Sequence, residues 1–125
     1  MIDLKEATFI IPIRIESPDR LRNIITVTAF LLENFDTNII IKEVDSEPVF
    51  QKEAVPILKE ILDVPIDIKG IFVQSHEPLF HRQKVLNEMI MEAKTKIVVN
   101  YDCDVILPIQ SYVKAYEGIM NGTYD

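Results

Sequence analysis

Ala7-Thr8-Phe9-Ile10-Ile11-Pro12-Ile13-Arg14-Ile15, with Ser17-Pro18 close behind it, is the stretch whose reading decides the fold. It is rich in β-branched residues and almost continuously apolar at its start. It lacks the alternation of a strand with one wet face, and so predicts a strand buried on both sides. Pro12, which has no N–H to give a ladder, is expected where that strand ends. Ser17 then offers a helix N-cap, and Pro18 a preset φ for the first helical position. Leu21, Ile24, Ile25, Thr28, Leu31, Leu32 and Phe35 recur at helical spacing, which predicts a helix over 18–35.

The alternation continues outward from this unit. Residues 38–45 predict a second strand, with carboxylates gathered at its end. Residues 50–62 predict a helix with Val55, Leu58, Ile61 and Leu62 inward, although Pro56 in mid-helix would cost about 3 kcal/mol. A third strand is expected over 66–73. A helix beginning near His81 follows, with Val85, Leu86, Met89, Ile90 and Ala93 on one stripe. Lys96 to Tyr101 predicts a fourth strand that ends on Asp102-Cys103-Asp104. A last helix after Pro108 then carries Ile109, Tyr112, Val113, Tyr116 and Ile119 on one face, with Gly122 at its C-cap. Short connections between alternating strands and helices imply right-handed crossovers. The expected class is therefore α/β: one domain over 1–125, with a mainly parallel sheet in a three-layer α/β/α arrangement.

Composition narrows the partners. A chain of 125 residues buries a core without disulfides, and its single cysteine, Cys103, allows no intrachain bridge. A reducing, cytoplasmic setting is the expectation. The formal charge of −7, with no Lys/Arg cluster, opposes a phosphate backbone, so nucleic acid is not an expected partner. No apolar run reaches the roughly 18–20 residues that span a bilayer, which leaves peripheral docking as the open membrane relation.

In open parallel sheets ligands bind beyond the carboxyl ends of the strands. The polar residues at those ends are Arg14 and Glu16, Glu43 and Asp45, Gln74 to Glu77, and Asp102 and Asp104. As a bare motif Asp-x-Asp is nearly uninformative. Its position directly after a buried strand gives it weight, because two such carboxylates repel unless a cation lies between them. Mg²⁺ or Mn²⁺ would suit the oxygen ligands and keep positions open for phosphate; a solvated strand end is the other reading. His76 and His81 lack partners at ligand spacing and are expected to be loop residues. The carboxylates beside Cys103 should raise its pKa, which argues against a catalytic thiolate. Tyr112 and Tyr116 are expected in the core, and Glu60 and Asp63 in solvent.

Taken in order, Ile11-Pro12-Ile13-Arg14, Glu43-Val44-Asp45-Ser46-Glu47-Pro48, Phe80-His81-Arg82 with Asn87, and Tyr101-Asp102-Cys103-Asp104 resemble successive signature segments of family 2 glycosyltransferases. The likeness is to the branch of polysaccharide polymerases and galactosyltransferase-like enzymes. His81 stands where that branch has Asn. The resemblance runs from about Ala7 to Pro108 and implies a GT-A, nucleotide-diphospho-sugar transferase-like fold. It also implies a nucleotide diphosphate-sugar donor, most often a uridine one, and a saccharide acceptor. Pro12, Ile13 and Arg14 would line the nucleotide, and Glu43 or Asp45 would accept hydrogen bonds from the base. Arg82 would lie against base or diphosphate, Asp102 and Cys103 would approach the ribose or sugar, and Asp104, with Asp102, would hold the metal.

Transfer with inversion needs a general base facing the donor. The resemblance places that carboxylate, with most of the acceptor site, downstream of the Asp-x-Asp segment and beyond Asp125. The chain is therefore expected to be the donor-binding part of a truncated GT-A domain, inactive in transfer alone. It is also expected to self-associate through an exposed sheet edge near Ile97-Val98-Val99. A non-catalytic nucleotide-sugar-binding module would carry the same residues. A receiver-like signalling domain fits less well, since Arg14 and Gln74-Ser75-His76 stand where that family carries acidic residues and a phosphorylatable Asp.

Overall fold

A computed structural model describes residues 1–122 of the chain. Within them, β1 (Ile2–Ile13), β2 (Phe35–Asp45), β3 (Lys69–Gln74) and β4 (Ile97–Asn100) form one sheet, all parallel, in the order β3-β2-β1-β4. The α-helices are α1 (Pro18–Asn34), α2 (Val55–Ile61), α3 (Arg82–Ile90) and α4 (Ile109–Met120). The class is α/β, as the alternation in the sequence implies.

β1 lies between two neighbours and is buried on both faces. Phe9, Ile11 and Ile13 enter the larger core with residues of α1, α2 and α4, whereas Ile10 meets Ile40 and the Val85, Leu86 and Met89 stripe of α3. The period of two along a strand thus feeds two cores from one segment. The placement of α3 follows from chain direction. The chain moves outward from β1 through β2 to β3, then returns across the sheet to β4. With right-handed crossovers, reversing direction puts the connecting helix on the opposite face.

Pro12 fits because of the same period. Ile10 accepts from the Tyr101 N–H at 3.1 Å on the β4 side, and the β1–β4 ladder ends at the pairing of Ile10 with Asn100. Two residues on, Pro12 turns its missing N–H toward that side, where no ladder remains to be broken.

β1 starts earlier than the apolar run suggests. Its register with β2 is interrupted between Asp3 and Thr8. There Asn38 Nδ2 donates to the carbonyls of Lys5 and Ala7 at 2.8 and 3.0 Å, and Thr37 Oγ1 donates to Ala7 at 2.9 Å. These side chains satisfy carbonyls that the broken ladder leaves free.

Pro56 also finds a place. Residues 50–54 form a π-helical turn, and α2 starts only at Val55, so the proline occupies the first helical turn, where no backbone donor is required. Leu58 and Leu62 face inward as expected, but Ile61 is 55% exposed, because so short a helix presents a single apolar row. In α3, which ends at Ile90, that residue and Ala93 do not extend the buried stripe, and Ile90 is exposed. Gly122 follows α4 with φ +74°, and its N–H donates to Ile119 at 3.1 Å, a left-handed terminus that suits glycine.

An aromatic cluster fixes α4 and the segment before it. Phe9 meets Tyr101 edge-on with centroids 5.3 Å apart, and Phe35 lies 5.1 Å from Tyr112. The Tyr101 hydroxyl donates to the Val105 carbonyl and bonds the Tyr112 hydroxyl, which accepts from the Leu107 N–H. Tyr112 is thus core, while Tyr116 is half-buried and accepts from the Glu6 N–H. Replacing Phe9, which touches Phe35, Tyr101 and Tyr112, by alanine is expected to destabilise the fold by about 3–5 kcal/mol in urea denaturation. At the sheet's β4 edge, Val98 and Val99 are half-buried. Self-association through that edge predicts a sedimentation coefficient that rises with concentration; one constant monomer value across a dilution series is the contrary result.

Candidate functional site

The reversal of chain direction makes a topological switch point between β1 and β4, since α1, which follows β1, and α3, which leads into β4, pack on opposite faces of the sheet. A cavity of about 650 Å³ lies there. Pro12 at the end of β1, Arg82 at the start of α3, and Asp102, Cys103 and Asp104 beyond β4 all line it. Five residues singled out from the sequence, distant along the chain, therefore share one cavity. Ile13, Arg14, Glu43 and Asp45 lie outside its lining.

The reason differs for each of those four. Ile13 is a core residue on the α1 face. Arg14 is 6% exposed; its Nε donates to the Val44 carbonyl at 2.8 Å and its Nη1 to the Glu77 carbonyl at 2.7 Å. Glu43 is 3% exposed, and both its carboxylate oxygens accept from the Phe50 N–H at 3.2 Å. Asp45 is half-buried and accepts from the Ser46 N–H at 2.7 Å. Of the two acids at the end of β2, Asp45 is the one left near solvent.

Inside the cavity Arg82 Nη2 reaches Asp102 Oδ1 at 2.5 Å, and both side chains are well exposed. This pair joins the start of α3 to the end of β4. Asp104 is exposed and forms no ion pair among the described residues. Cys103 is half-buried, and its thiol pKa is raised first by burial, with smaller contributions from Asp104 and Asp102 opposed by Arg20. The thiol therefore stays protonated near neutrality, as the sequence suggests, though burial outweighs the flanking charges. His76 and His81 are both exposed.

The cavity also contains residues that strand-end reasoning passed over. Asp19, Arg20 and Asn23 project from the first turns of α1, and Pro78 and Leu79 from the loop before α3. A helix that follows the central strand starts beside that strand's end, so the Ser17-Pro18 start signal was the clue available. With Glu16, the cavity holds four carboxylates against the guanidiniums of Arg20 and Arg82. Such a balance disfavours a bare anion and favours a cation, or an anion that brings one. Among the described residues no three His, Cys, Asp or Glu side chains gather as a metal-holding group. Asp102 and Asp104 offer a partial set of hard oxygen ligands. That suits Mg²⁺ or Mn²⁺, which bind through one or two carboxylates when phosphate oxygens and water complete the shell.

Glu43 has a pH consequence. Burial first, then the charge of Asp45, raise its pKa from 4.5 to about 7, against the lowering effect of the Phe50 hydrogen bond. Between those values the folded protein keeps a proton that the unfolded chain has released. Stability therefore falls as pH rises through this window and levels off above it. Glu43→Gln is expected to stabilise the protein at pH 8 by on the order of 3 kcal/mol and to leave it unchanged below pH 4.5, as measured by chemical denaturation.

No protein-family model and no curated protein matches the chain. No helix among the described residues is long and apolar enough to cross a membrane.

Proposed function

We propose that this chain is the donor-binding part of a metal-dependent glycosyltransferase of the GT-A, family 2 type, taking a nucleotide diphosphate-sugar, of the uridine class, toward a saccharide acceptor. The observation that carries this reading is the cavity between β1 and β4, which gathers Pro12, Arg82, Asp102, Cys103 and Asp104. The sheet order and the Asp-x-Asp segment directly after β4 support the GT-A assignment within the α/β class.

In this reading the nucleotide lies against Pro12 and the first turn of α1, with Arg82 toward the base or diphosphate. Asp104, with Asp102, holds the divalent cation. When bound, that cation supplies Lewis-acid stabilisation of the negative charge that develops on the leaving diphosphate. The Arg82–Asp102 pair sets the guanidinium at the mouth of the cavity, where it is exposed enough to meet a phosphate. Cys103 contributes a half-buried neutral wall. Asp45 is the accessible acceptor at the end of β2, while Glu43 stays committed to Phe50.

Uridine diphosphate is expected to bind more tightly with Mn²⁺ than with chelator, as read by calorimetry; equal affinity in both conditions, or no binding in either, contradicts the reading. Asp104→Asn should abolish the metal enhancement by removing one charged ligand from a hard cation. Arg82→Ala should weaken binding by roughly 1.5–3 kcal/mol with or without metal, the range for hydrogen bonds to charged groups.

A further inference from the structure

We infer that Arg14 is a positioning residue for the donor cavity: it holds the loop that forms one wall and leads into Arg82 at the start of α3, and does not itself contact the ligand. The inference rests on the donor reading above for its ligand, and on geometry alone for its mechanism.

Arg14 sits one residue past β1 and joins three segments. Nε binds the Val44 carbonyl near the end of β2, Nη1 binds the Glu77 carbonyl in the loop between β3 and α3, and the guanidinium lies 5.7 Å from the centroid of the Phe80 ring. Phe80 and the adjoining Leu79 line the cavity, although Arg14 does not. Arg82 follows two residues later and ties back through its N–H to the Phe80 carbonyl at 3.1 Å. A continuous path thus runs from Arg14 through Glu77 and Phe80 to the guanidinium that pairs with Asp102.

Phe80 also packs against the core that Ile10 forms with α3, but the residues before it have few other partners. Ser75 donates to the Asp45 carbonyl at 2.9 Å, and Glu77 N–H donates to Ser75 Oγ. Residues 76–79 are exposed, Leu79 at 70%. Arg14 contributes a side-chain anchor that reaches this loop from the central strand. A buried guanidinium needs carbonyl partners, so the same hydrogen bonds that satisfy its charge order the loop. The planar fork reaches two carbonyls while its face meets a ring, and a lysine cannot reproduce that combination.

Arg14→Lys keeps the positive charge and removes the fork, which separates anchoring from charge. The measurements are calorimetry with uridine diphosphate and Mn²⁺, thermal unfolding, and amide hydrogen exchange. Arg14→Lys is expected to weaken binding about tenfold or more, since small misplacements of binding groups carry large penalties. It should also speed exchange across residues 75–82 while exchange in β1 and β2 stays near wild type. Phe80→Leu should loosen the same residues, and it serves as the second variant if Arg14→Lys does not fold. Wild-type affinity in Arg14→Lys, or lost affinity with exchange at 75–82 unchanged, overturns the inference. If the wild-type protein binds no uridine diphosphate, the donor reading falls by itself. The exchange of residues 75–82, which needs no ligand, then still decides whether Arg14 holds the loop.

Discussion

The structure depends on one strand having no outer face. Ile10 and Ile11 are neighbours on β1, both fully buried, and they enter separate cores on opposite sides of the sheet. A strand in that position needs a hydrogen-bonded neighbour on each side and a helical layer above and below. β2 and β4 provide the first, with α1 and α3 among the helices that provide the second. The switch in chain direction follows, because β1 can be flanked on both sides only if the chain comes back across it after β3. The crevice at the ends of β1 and β4 is a by-product of that return.

Charge is handled along the strand ends by the same alternation that sorts the apolar residues. Lys42 and Glu43 are adjacent on β2 and both buried, yet they point to opposite layers. Lys42 meets Glu88 of α3 at 3.5 Å, and Glu43 turns under the π-helical turn to Phe50. Arg14 is satisfied by backbone carbonyls. Each buried charge has a nearby partner, as the desolvation penalty requires. These residues brace the ends of the strands, whereas Asp104 and the Arg82–Asp102 pair stay exposed in the cavity.

The hydroxyls at the two ends of β4 are likewise paired, whereas Thr28 Oγ1 of α1, also buried, has no hydrogen-bond partner. Thr95 donates to the Ile97 carbonyl at 2.9 Å, so its oxygen accepts from buried Thr8 at 2.6 Å and links β1 to the approach of β4. The Tyr101–Tyr112 pair anchors the other end of β4, and the Asp-x-Asp segment therefore springs from a fixed base. Its residues stay exposed or half-buried.

Much of this was legible in the sequence alone. The doubly buried strand, the Ser17-Pro18 helix start, four strands and the gathering of polar residues at their ends all follow from local period and turn chemistry, which act over a few residues. The sequence also determined which residue types could serve a hard cation, and it marked Cys103 as an inert thiol. Tertiary structure decided which strand-end residues look outward. Arg14, Glu43 and Asp102 are equally polar at equivalent places in the pattern, yet two are buried and one lines the cavity. That choice depends on which residues stand opposite: Val44, Glu77, Phe50 and Arg82, at separations no local period encodes. The early start of β1 and the π-helical turn before Pro56 arise in the same way, from partners across the sheet or across a turn. Pattern specifies each element; the pairing of distant backbone groups settles which charged side chains are left for function.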